Sequence, residues 1–340
     1  MLTRNKVLLP LALIILLQIC GLAHAIDLEK KIIKNKLDNG LTVLMMERKF
    51  SPTVSLFIRY RVGAVDETKG QTGAAHFLEH MMFKGTSTIG TKNFAKEKKL
   101  LSQIEQVGQA LDDERSKGNK ADQKRVMSLA AQLKKLQDEH RKYYIPNEID
   151  RLYTENGGEN MNATTGQDIT TYFISLPSNK IELWARIESD RLLNPVFREF
   201  YTERDVILEE RRQRVETSPD GKLYESFVNK AYQVHPYGLP IIGSQEDIVL
   251  LNQTAIRQIH QKYLSPEQIV IAVVGDIHPQ KTLKLINKYF GRIPAGGHKP
   301  ASIPAEPSQT KERNVEVLFD ANPAMIIGYH KPTAPSHEDY

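Results

Sequence analysis

The feature that most constrains this chain is a set of ligating side chains within five residues, His-Phe-Leu-Glu-His at positions 76–80. The apolar and histidine positions predict a helix over residues 72–83. Residues three and four apart lie on one face of a helix, so His76, Glu79 and His80 would share one side. Two imidazoles at this spacing suit one tetrahedral zinc ion, with room for a third protein ligand and a water molecule.

The order of these residues mirrors the commoner His-Glu-x-x-His arrangement of zinc peptidases. A carboxylate beside a metal-activated water can take its proton and pass it to the leaving group, which is the role predicted for Glu79. The motif is short, and a half-exposed helix with two solvated histidines is the alternative interpretation.

The rest of the chain alternates between strand and helix patterns. Strands are predicted over residues 41–47, 53–62 and 269–274, with a strand pair or one long bent strand over 160–176. Helices are predicted over residues 180–193, 198–217, 223–232 and 281–290. We therefore expect an α/β (α+β) fold, with a mixed and mainly antiparallel sheet covered by helices.

Residues 93–144 have a different composition, in which apolar residues recur at helical spacing among many charges. The pattern runs from Leu100 to Leu111, is interrupted at Gly118-Asn119, and resumes from Val126 to Leu136. It predicts an inserted helical hairpin with one apolar seam. A solvated spacer is one interpretation of this hairpin, and a role in substrate gating or partner contact is the other.

The N-terminus has the pattern of a secretory signal over residues 1–25. A basic start is followed by an apolar stretch over 7–19 and by the small-x-small sequence Ala23-His24-Ala25. The alternatives are a membrane anchor, for which the stretch is short, and lipidation at Cys20. Cys20 is the one cysteine of the sequence, so a processed chain would have no disulfide, no thiol nucleophile and no Cys-based metal site.

The charge of the chain bears on its partners and location. A formal net charge of +5, spread along 340 residues, does not favour nucleic acid as a partner. No later segment has the length and apolarity of a membrane span, so no stable membrane insertion is expected after signal cleavage. We predict a secreted or periplasmic protein.

Two stretches carry a resemblance to a known family. Residues 73–86, Gly-Ala-Ala-His-Phe-Leu-Glu-His-Met-Met-Phe-Lys-Gly-Thr, closely resemble the active-site helix of the pitrilysin/insulinase family of zinc metallopeptidases, which includes the mitochondrial processing peptidase. Residues 203–210, Glu-Arg-Asp-Val-Ile-Leu-Glu-Glu, resemble the later helix that completes its zinc site. The resemblance implies one Zn²⁺ per chain, bound by His76, His80 and Glu210.

The same resemblance implies a role for Glu203, as a carboxylate that orients a histidine or the water. Glu203 and Glu210 are seven residues apart and share a helix face, whereas Glu209 points about 100° away from Glu210. Without the upstream motif, these glutamates would be a charged helix exterior paired with neighbouring arginines. His80 and Glu210 are farther apart in sequence than is usual in the family, and the inserted hairpin accounts for the additional residues between them.

Family members bind an extended peptide along an edge strand beside the zinc. The resemblance places that role on Asn162, Ala163 and Thr164, and a purely structural strand is the alternative. It covers residues 30–295 apart from the hairpin, so 26–297 is predicted to be the zinc-bearing catalytic half-domain. Residues 298–314 are a predicted linker. Residues 315–340 are the predicted start of a truncated second half-domain, with strands over 315–319 and 324–329.

The predicted function is that of a secreted zinc-dependent endopeptidase, which hydrolyses peptides or unfolded segments through a zinc-activated water. Its expected partners are a peptide substrate and a homologous partner chain or missing second half, because family members usually have two halves that face each other across a chamber. The main alternative is a non-catalytic or truncated peptide-binding subunit that needs a partner chain. Another zinc hydrolase, such as an amidase, is a second alternative.

Overall fold

The computed structural model describes residues 29–295 and 303–330. A six-stranded open sheet forms its centre, with strand order β1-β2-β6-β3-β5-β4. Neighbouring strands are antiparallel except for β2 and β6, which are parallel. The strands are β1 (Ile33–Lys36), β2 (Thr42–Glu47), β3 (Thr53–Tyr60), β4 (Glu159–Thr165), β5 (Thr170–Pro177) and β6 (Ile269–Gly275).

Ten α-helices lie within the described ranges. They are α1 (Ala74–Met81), α2 (Phe94–Arg115), α3 (Gln123–His140), α4 (Glu148–Thr154), α5 (Ile181–Leu193), α6 (Phe200–Arg211), α7 (Pro219–Ala231), α8 (Gln245–Leu250), α9 (Gln253–Tyr263) and α10 (Pro279–Phe290). None of these helices is both long and apolar enough to cross a membrane.

The core lies between the helices and one face of the sheet. In β3, buried side chains from Val54 to Tyr60 alternate with exposed or half-buried ones, and the neighbouring strands show the same alternation. On the buried face, Tyr60 stacks on Tyr263 of α9 at 4.4 Å between ring centroids. This one-sided packing of a mainly antiparallel sheet confirms the predicted α+β class.

The inserted hairpin forms as predicted, with α2 and α3 packed side by side over 93–144. It also packs against α6. Gly108 of α2 lies against the Tyr201 ring, where a Cβ would come within 2.0 Å of a ring carbon. Arg204 of α6 donates two hydrogen bonds to the Asp112 carboxylate, at 2.7 and 2.8 Å. The hairpin is therefore docked on the helix that carries Glu203 and Glu210.

Of the two alternatives predicted for residues 160–176, the structure has the strand pair, β4 and β5. Other elements differ from the prediction. The short elements β1, α4, α8 and α9 were not predicted. The strands predicted over 315–319 and 324–329 are wrong for the described chain, because residues 303–330 contain no helix or strand. Their β-forming side chains have no ladder partner among the described residues, and a strand depends on its partner for stability.

The predicted signal segment, residues 1–25, lies outside the described residues, as do parts of the predicted linker and of residues 315–340. Within 303–330, the chain is attached to the rest of the protein by Glu306. Its carboxylate accepts hydrogen bonds from the backbone N–H groups of Gln233, Val234 and His235, at 2.7 to 3.0 Å. Arg313 donates to the Ala231 carbonyl and pairs with Glu306 at 3.3 Å.

Candidate metal centre

Helix α1, which carries the motif, begins at a position that only glycine fits easily. Gly73 has a φ of +88°, and a Cβ on it would lie 2.5 Å from the Ile242 carbonyl oxygen. The Glu67 carboxylate accepts hydrogen bonds from the N–H groups of Gly73 and Ala75, at 2.9 and 2.7 Å. These bonds satisfy donors that the first turn of a helix leaves free, so the start of α1 is fixed by side chains outside it.

The two histidines of α1 converge on Glu210 of α6. Oε2 of Glu210 lies 3.5 Å from His80 Nε2 and 3.8 Å from His76 Nε2. Ligand atoms of these three residues all lie within 4.8 Å of one another, and no other such group of three or more occurs in the described ranges. The neighbouring Glu209 is turned away and pairs with Arg212 at 2.7 Å.

Glu203 lies two turns before Glu210 on the same face of α6. Its Oε1 is 2.9 Å from His80 Nδ1, so of the two predicted alternatives it contacts the histidine. Its other oxygen is 2.6 Å from Lys84 Nζ. Burial opposes ionisation of Glu203, but the hydrogen bonds from His80 and Lys84 outweigh it and lower its pKa to about 2. A carboxylate held ionised here fixes the His80 ring with Nε2 facing Glu210.

Glu79 lies beside this group and is 9 % exposed. The hydroxyl of Thr165, the last residue of β4, donates a hydrogen bond to Glu79 Oε2. Burial raises the pKa of Glu79, and the hydrogen bond from Thr165 works in the opposite direction. The carboxyl group therefore has the surroundings of a general base, which needs a pKa closer to neutrality than that of a free glutamate.

The donor set fits a zinc ion. It consists of two imidazole nitrogens and one carboxylate oxygen, a combination that zinc accepts in open sites. Burial, together with the charges of His80 and Arg214, lowers the pKa of His76 to about 3, so its ring is neutral at neutral pH. Buried Nδ1 of His76 has no hydrogen-bond partner among the described residues, and Nε2 is the atom that faces Glu210.

The predicted peptide-binding residues lie on β4, which is an edge strand of the sheet. Asn162 and Thr164 are exposed, while Ala163 is buried on the side of α1. Asn162 Oδ1 accepts a hydrogen bond from the Ala163 N–H at 2.9 Å. The ladder with β5 is regular over residues 162–165 and irregular between Glu159 and Asn162.

Three residues at the site were not predicted from the sequence. Lys84 contacts Glu203, Thr165 contacts Glu79, and Arg214 pairs with Glu210 Oε1 at 3.0 Å. Lys84 and Arg214 each follow a site residue by four positions, a spacing that would have indicated them. Thr165 carries no such signal, because its contact with Glu79 depends on the packing of β4 against α1.

Comparisons with known families cover most of the chain. Residues 42–134 and 118–245 match the family model described as "Insulinase (Peptidase family M16)". Residues 251–340 match the model described as "Peptidase M16 inactive domain". Together these matches span strands β2 to β6, the hairpin and both helices of the site.

Individual relatives agree with the family models. The zinc protease PqqE of Helicobacter pylori is 30 % identical over 98 % of this chain and 64 % of its own length. An uncharacterised zinc protease of Mycobacterium leprae is 26 % identical over 87 % of this chain and 52 % of its own length. The probable mitochondrial-processing peptidase subunit beta of Schizosaccharomyces pombe is also 26 % identical, over 76 % of this chain and 44 % of its own length. The chain thus spans about half to two-thirds of the length of these relatives.

Solved structures share the fold. A protease from Helicobacter pylori aligns with a TM-score of 0.62 and 27 % identity, over 83 % of this chain and 56 % of its own. The first half of the periplasmic protease PqqL from Escherichia coli aligns with a TM-score of 0.59 and 22 % identity, over 83 % of this chain and 50 % of its own. At this level of identity, the PqqL alignment bears on the fold alone.

Proposed function

The chain belongs to the insulinase family of peptidases, family M16, and on that premise we propose that it is a zinc-dependent endopeptidase acting on peptides or unfolded segments. The observation that carries the proposal is the convergence of His76, His80 and Glu210, with ligand atoms within 4.8 Å of one another, beside the buried Glu79 carboxylate. The names of its relatives as zinc proteases support the same metal.

The proposed roles follow from the contacts. His76, His80 and Glu210 would hold one zinc ion, which when bound would supply Lewis-acid chemistry for the scissile carbonyl and the attacking water. Glu79 would accept the proton of that water and pass it to the leaving amine. Glu203 would hold the His80 ring through Nδ1.

The peptide would lie along the free edge of β4. An extended peptide adds to a sheet edge through backbone hydrogen bonds, which give affinity, while pockets for alternate side chains give specificity. We assign its contacts to Asn162, Ala163 and Thr164, because the regular part of β4 begins there and ends at Thr165, which contacts Glu79. This arrangement would place the scissile bond near the base.

The second candidate is a peptide-binding subunit that becomes active only with a partner chain or second half. It is favoured by large apolar side chains that are exposed within residues 303–330, such as Leu318 at 90 % and Tyr329 at 89 %. Extended apolar exposure of this kind is typical of a surface that another segment covers. The N-terminal pattern supports a secreted or periplasmic location for either candidate, and fractionation of cells that express the full chain would test it.

Zinc content and peptide cleavage, measured on the same purified chain of 340 residues, test the proposal. We expect close to one zinc per chain, and cleavage of a quenched library of unstructured peptides. The Glu79→Gln variant should keep its zinc and lose turnover by about three orders of magnitude, because it removes the base and leaves the ligands. An active Glu79→Gln variant would refute the mechanism. Zinc without cleavage in the unmodified chain would favour the second candidate.

A further inference from the structure

We propose that Thr165 is a positioning residue for Glu79, and that its hydroxyl ties the orientation of the base to the strand that receives the peptide. The proposal rests on the proposed function, since it assumes that Glu79 is the base. It begins from one contact, the hydrogen bond from Thr165 Oγ1 to Glu79 Oε2. Among the described residues, no other side chain hydrogen-bonds to the Glu79 carboxylate.

Alternation along β4 places Thr165 on the face that packs against α1. Residues two apart in a strand point to the same side, so Thr165 shares its side with Ala163, which is 6 % exposed. Asn162 and Thr164 are exposed on the opposite side. Strand β4 thus has backbone groups at its free edge, and it also directs the Thr165 hydroxyl towards Glu79.

The backbone of Thr165 is held in place from several directions. It pairs with Thr170 in the β4–β5 ladder. The turn between these strands is bonded to the segment before α1, through Ala64 N–H to the Gly166 carbonyl at 3.1 Å and Val65 N–H to the Gln167 carbonyl at 2.9 Å. The two segments are so close that a Cβ on residue 63, a glycine, would lie 2.3 Å from the Gln167 oxygen. The hydroxyl therefore occupies a fixed place.

The chemical consequence concerns the second oxygen of Glu79. A glutamate side chain has several rotatable bonds, and only one orientation of its carboxylate suits proton transfer from a given water. With Oε2 engaged by Thr165, Oε1 is left to accept the proton. Removal of the hydroxyl leaves the base in place but unoriented, so the chemical step should slow while peptide binding and the metal ligands are unchanged.

Two substitutions separate the hydroxyl from the shape of the residue. Thr165→Val keeps the branched shape and removes the hydroxyl, and Thr165→Ser keeps the hydroxyl. Thr165→Val should lower kcat about 10- to 100-fold with KM nearly unchanged, the size expected for one hydrogen bond to a charged group. Thr165→Ser should restore kcat to within about threefold. Thr53→Val, the same change at an exposed position of β3, is the control.

A second readout does not depend on activity. Crystal structures of the zinc-loaded variants should show the Glu79 carboxylate in one orientation in the parent chain and in Thr165→Ser, and displaced or in several orientations in Thr165→Val. Zinc content should be equal in all of them. If Thr165→Val does not fold, Thr165→Ala removes the same hydroxyl and is judged by the same criteria.

Three results would overturn the proposal. They are an unchanged kcat with an unchanged Glu79 in Thr165→Val, an equal defect in Thr165→Ser, and loss of zinc from Thr165→Val, which would mean a general structural role. If the parent chain binds zinc but cleaves no peptide, this result refutes the proposed endopeptidase activity of the chain alone, independently of the role of Thr165. The orientation of Glu79 in the crystal structures of the parent chain, Thr165→Ser and Thr165→Val then still decides whether Thr165 positions it.

Discussion

At the residue scale, adjacent glutamates on α6 have opposite surroundings. Glu209 is half-exposed and its two oxygens bond to the Arg212 guanidinium at 2.7 and 2.8 Å. Glu210 is turned by about 100° and faces the two histidines. The difference between a surface ion pair and a candidate ligand is thus one position in the helix.

This contrast gives a direct test of the ligand set. His80→Ala and Glu210→Ala should each abolish stoichiometric zinc binding, because each removes one of three protein ligands. Glu209→Ala should keep about one zinc per chain, because it removes only an exposed ion pair. Metal analysis after dialysis of the three variants is the measurement. Loss of zinc from Glu209→Ala would move the ligand assignment by one residue.

Glu203 offers a second test at this scale. Glu203→Gln should weaken zinc binding about 10- to 100-fold without abolishing it, because the partner that orients His80 is altered while all three ligands remain. Glu199→Gln is the matched control, since Glu199 also reaches Lys84, at 3.4 Å, but is not bonded to a histidine. Competition with a zinc-binding dye gives both affinities. Equal affinities in the two variants would argue against the orienting role.

The local part of the site could be predicted from the sequence, and the part that depends on packing could not. His76, Glu79 and His80 lie within one turn of one helix, so their spacing alone brings them together. The place of Glu210 came from the resemblance to a family, because 130 residues separate it from His80. Thr165 has ordinary sequence surroundings, and its contact with Glu79 exists only once β4 is packed on α1.

At the element scale, one buried arginine joins the hairpin to the loop that follows α1. Arg198 is fully buried and donates to the carbonyl oxygens of Lys84, Thr86 and Ile89, at 2.7 to 3.2 Å. The same guanidinium pairs with Glu97 of α2 at 2.6 Å, and Glu97 also contacts His140 of α3 at 2.7 Å. Both ends of the hairpin therefore meet the loop beside the candidate metal centre.

Stability should depend on Glu97 in a pH-dependent way. Burial opposes its ionisation, but hydrogen bonds from His140 and Arg198 lower its pKa to about 2 in the folded chain. A carboxyl group whose pKa is lower in the folded chain than in the unfolded chain stabilises the fold. This stabilisation is complete at pH values above the unfolded pKa of about 4.3, and it is lost as the pH falls towards 2. Glu97→Gln should thus cost about 3 kcal/mol of unfolding free energy at pH 7, and less at pH 3.

Urea unfolding of the parent chain and the variant between pH 7 and pH 3 measures this difference. Glu139→Gln, at an exposed position next to His140, is the control and should be close to neutral at every pH. A constant difference between the parent chain and Glu97→Gln across this range would show that the ionised carboxylate is not what stabilises the cluster.

Helix α9 and strand β1, which were not predicted, differ in what their sequences indicate. Helix α9 carries an Asn252 cap and buried residues at helical spacing, including Ile256, Ile259 and Tyr263, so its signal was present in the sequence. Strand β1 has four residues, mostly exposed, and exists through its pairing with β2. The strands expected within 315–329 show the reverse case, in which β-forming residues lack a partner among the described residues.

At the scale of the whole molecule, residues 303–330 run past α7 and bind to its C-terminal end through Glu306 and Arg313. Three backbone N–H groups at residues 233–235 donate to the Glu306 carboxylate. Burial opposes ionisation of Glu306, and these bonds outweigh it and lower its pKa to about 2. These contacts are polar, while large apolar side chains of the segment, such as Leu318 and Tyr329, are exposed.

Removal of this charge should loosen the segment and leave the rest of the chain unaffected. Glu306→Gln should speed amide hydrogen exchange at residues 233–235 and within 303–330, because an amide accepts these bonds more weakly than a carboxylate. Exchange in the sheet should not change. Glu312→Gln, at an exposed position of the same segment, is the control. Unchanged exchange in Glu306→Gln would mean that the segment is held by other contacts.

The irregular ladder of β4 has a consequence for solubility. A free sheet edge is a template on which copies of the same chain can stack and aggregate. Here Asn160 has a φ of +56°, and pairing with β5 is irregular between Glu159 and Asn162. A flat edge remains only over residues 162–165, which is shorter than a typical strand of about five or six residues. This irregularity therefore shortens the edge on which a second copy of the chain could stack.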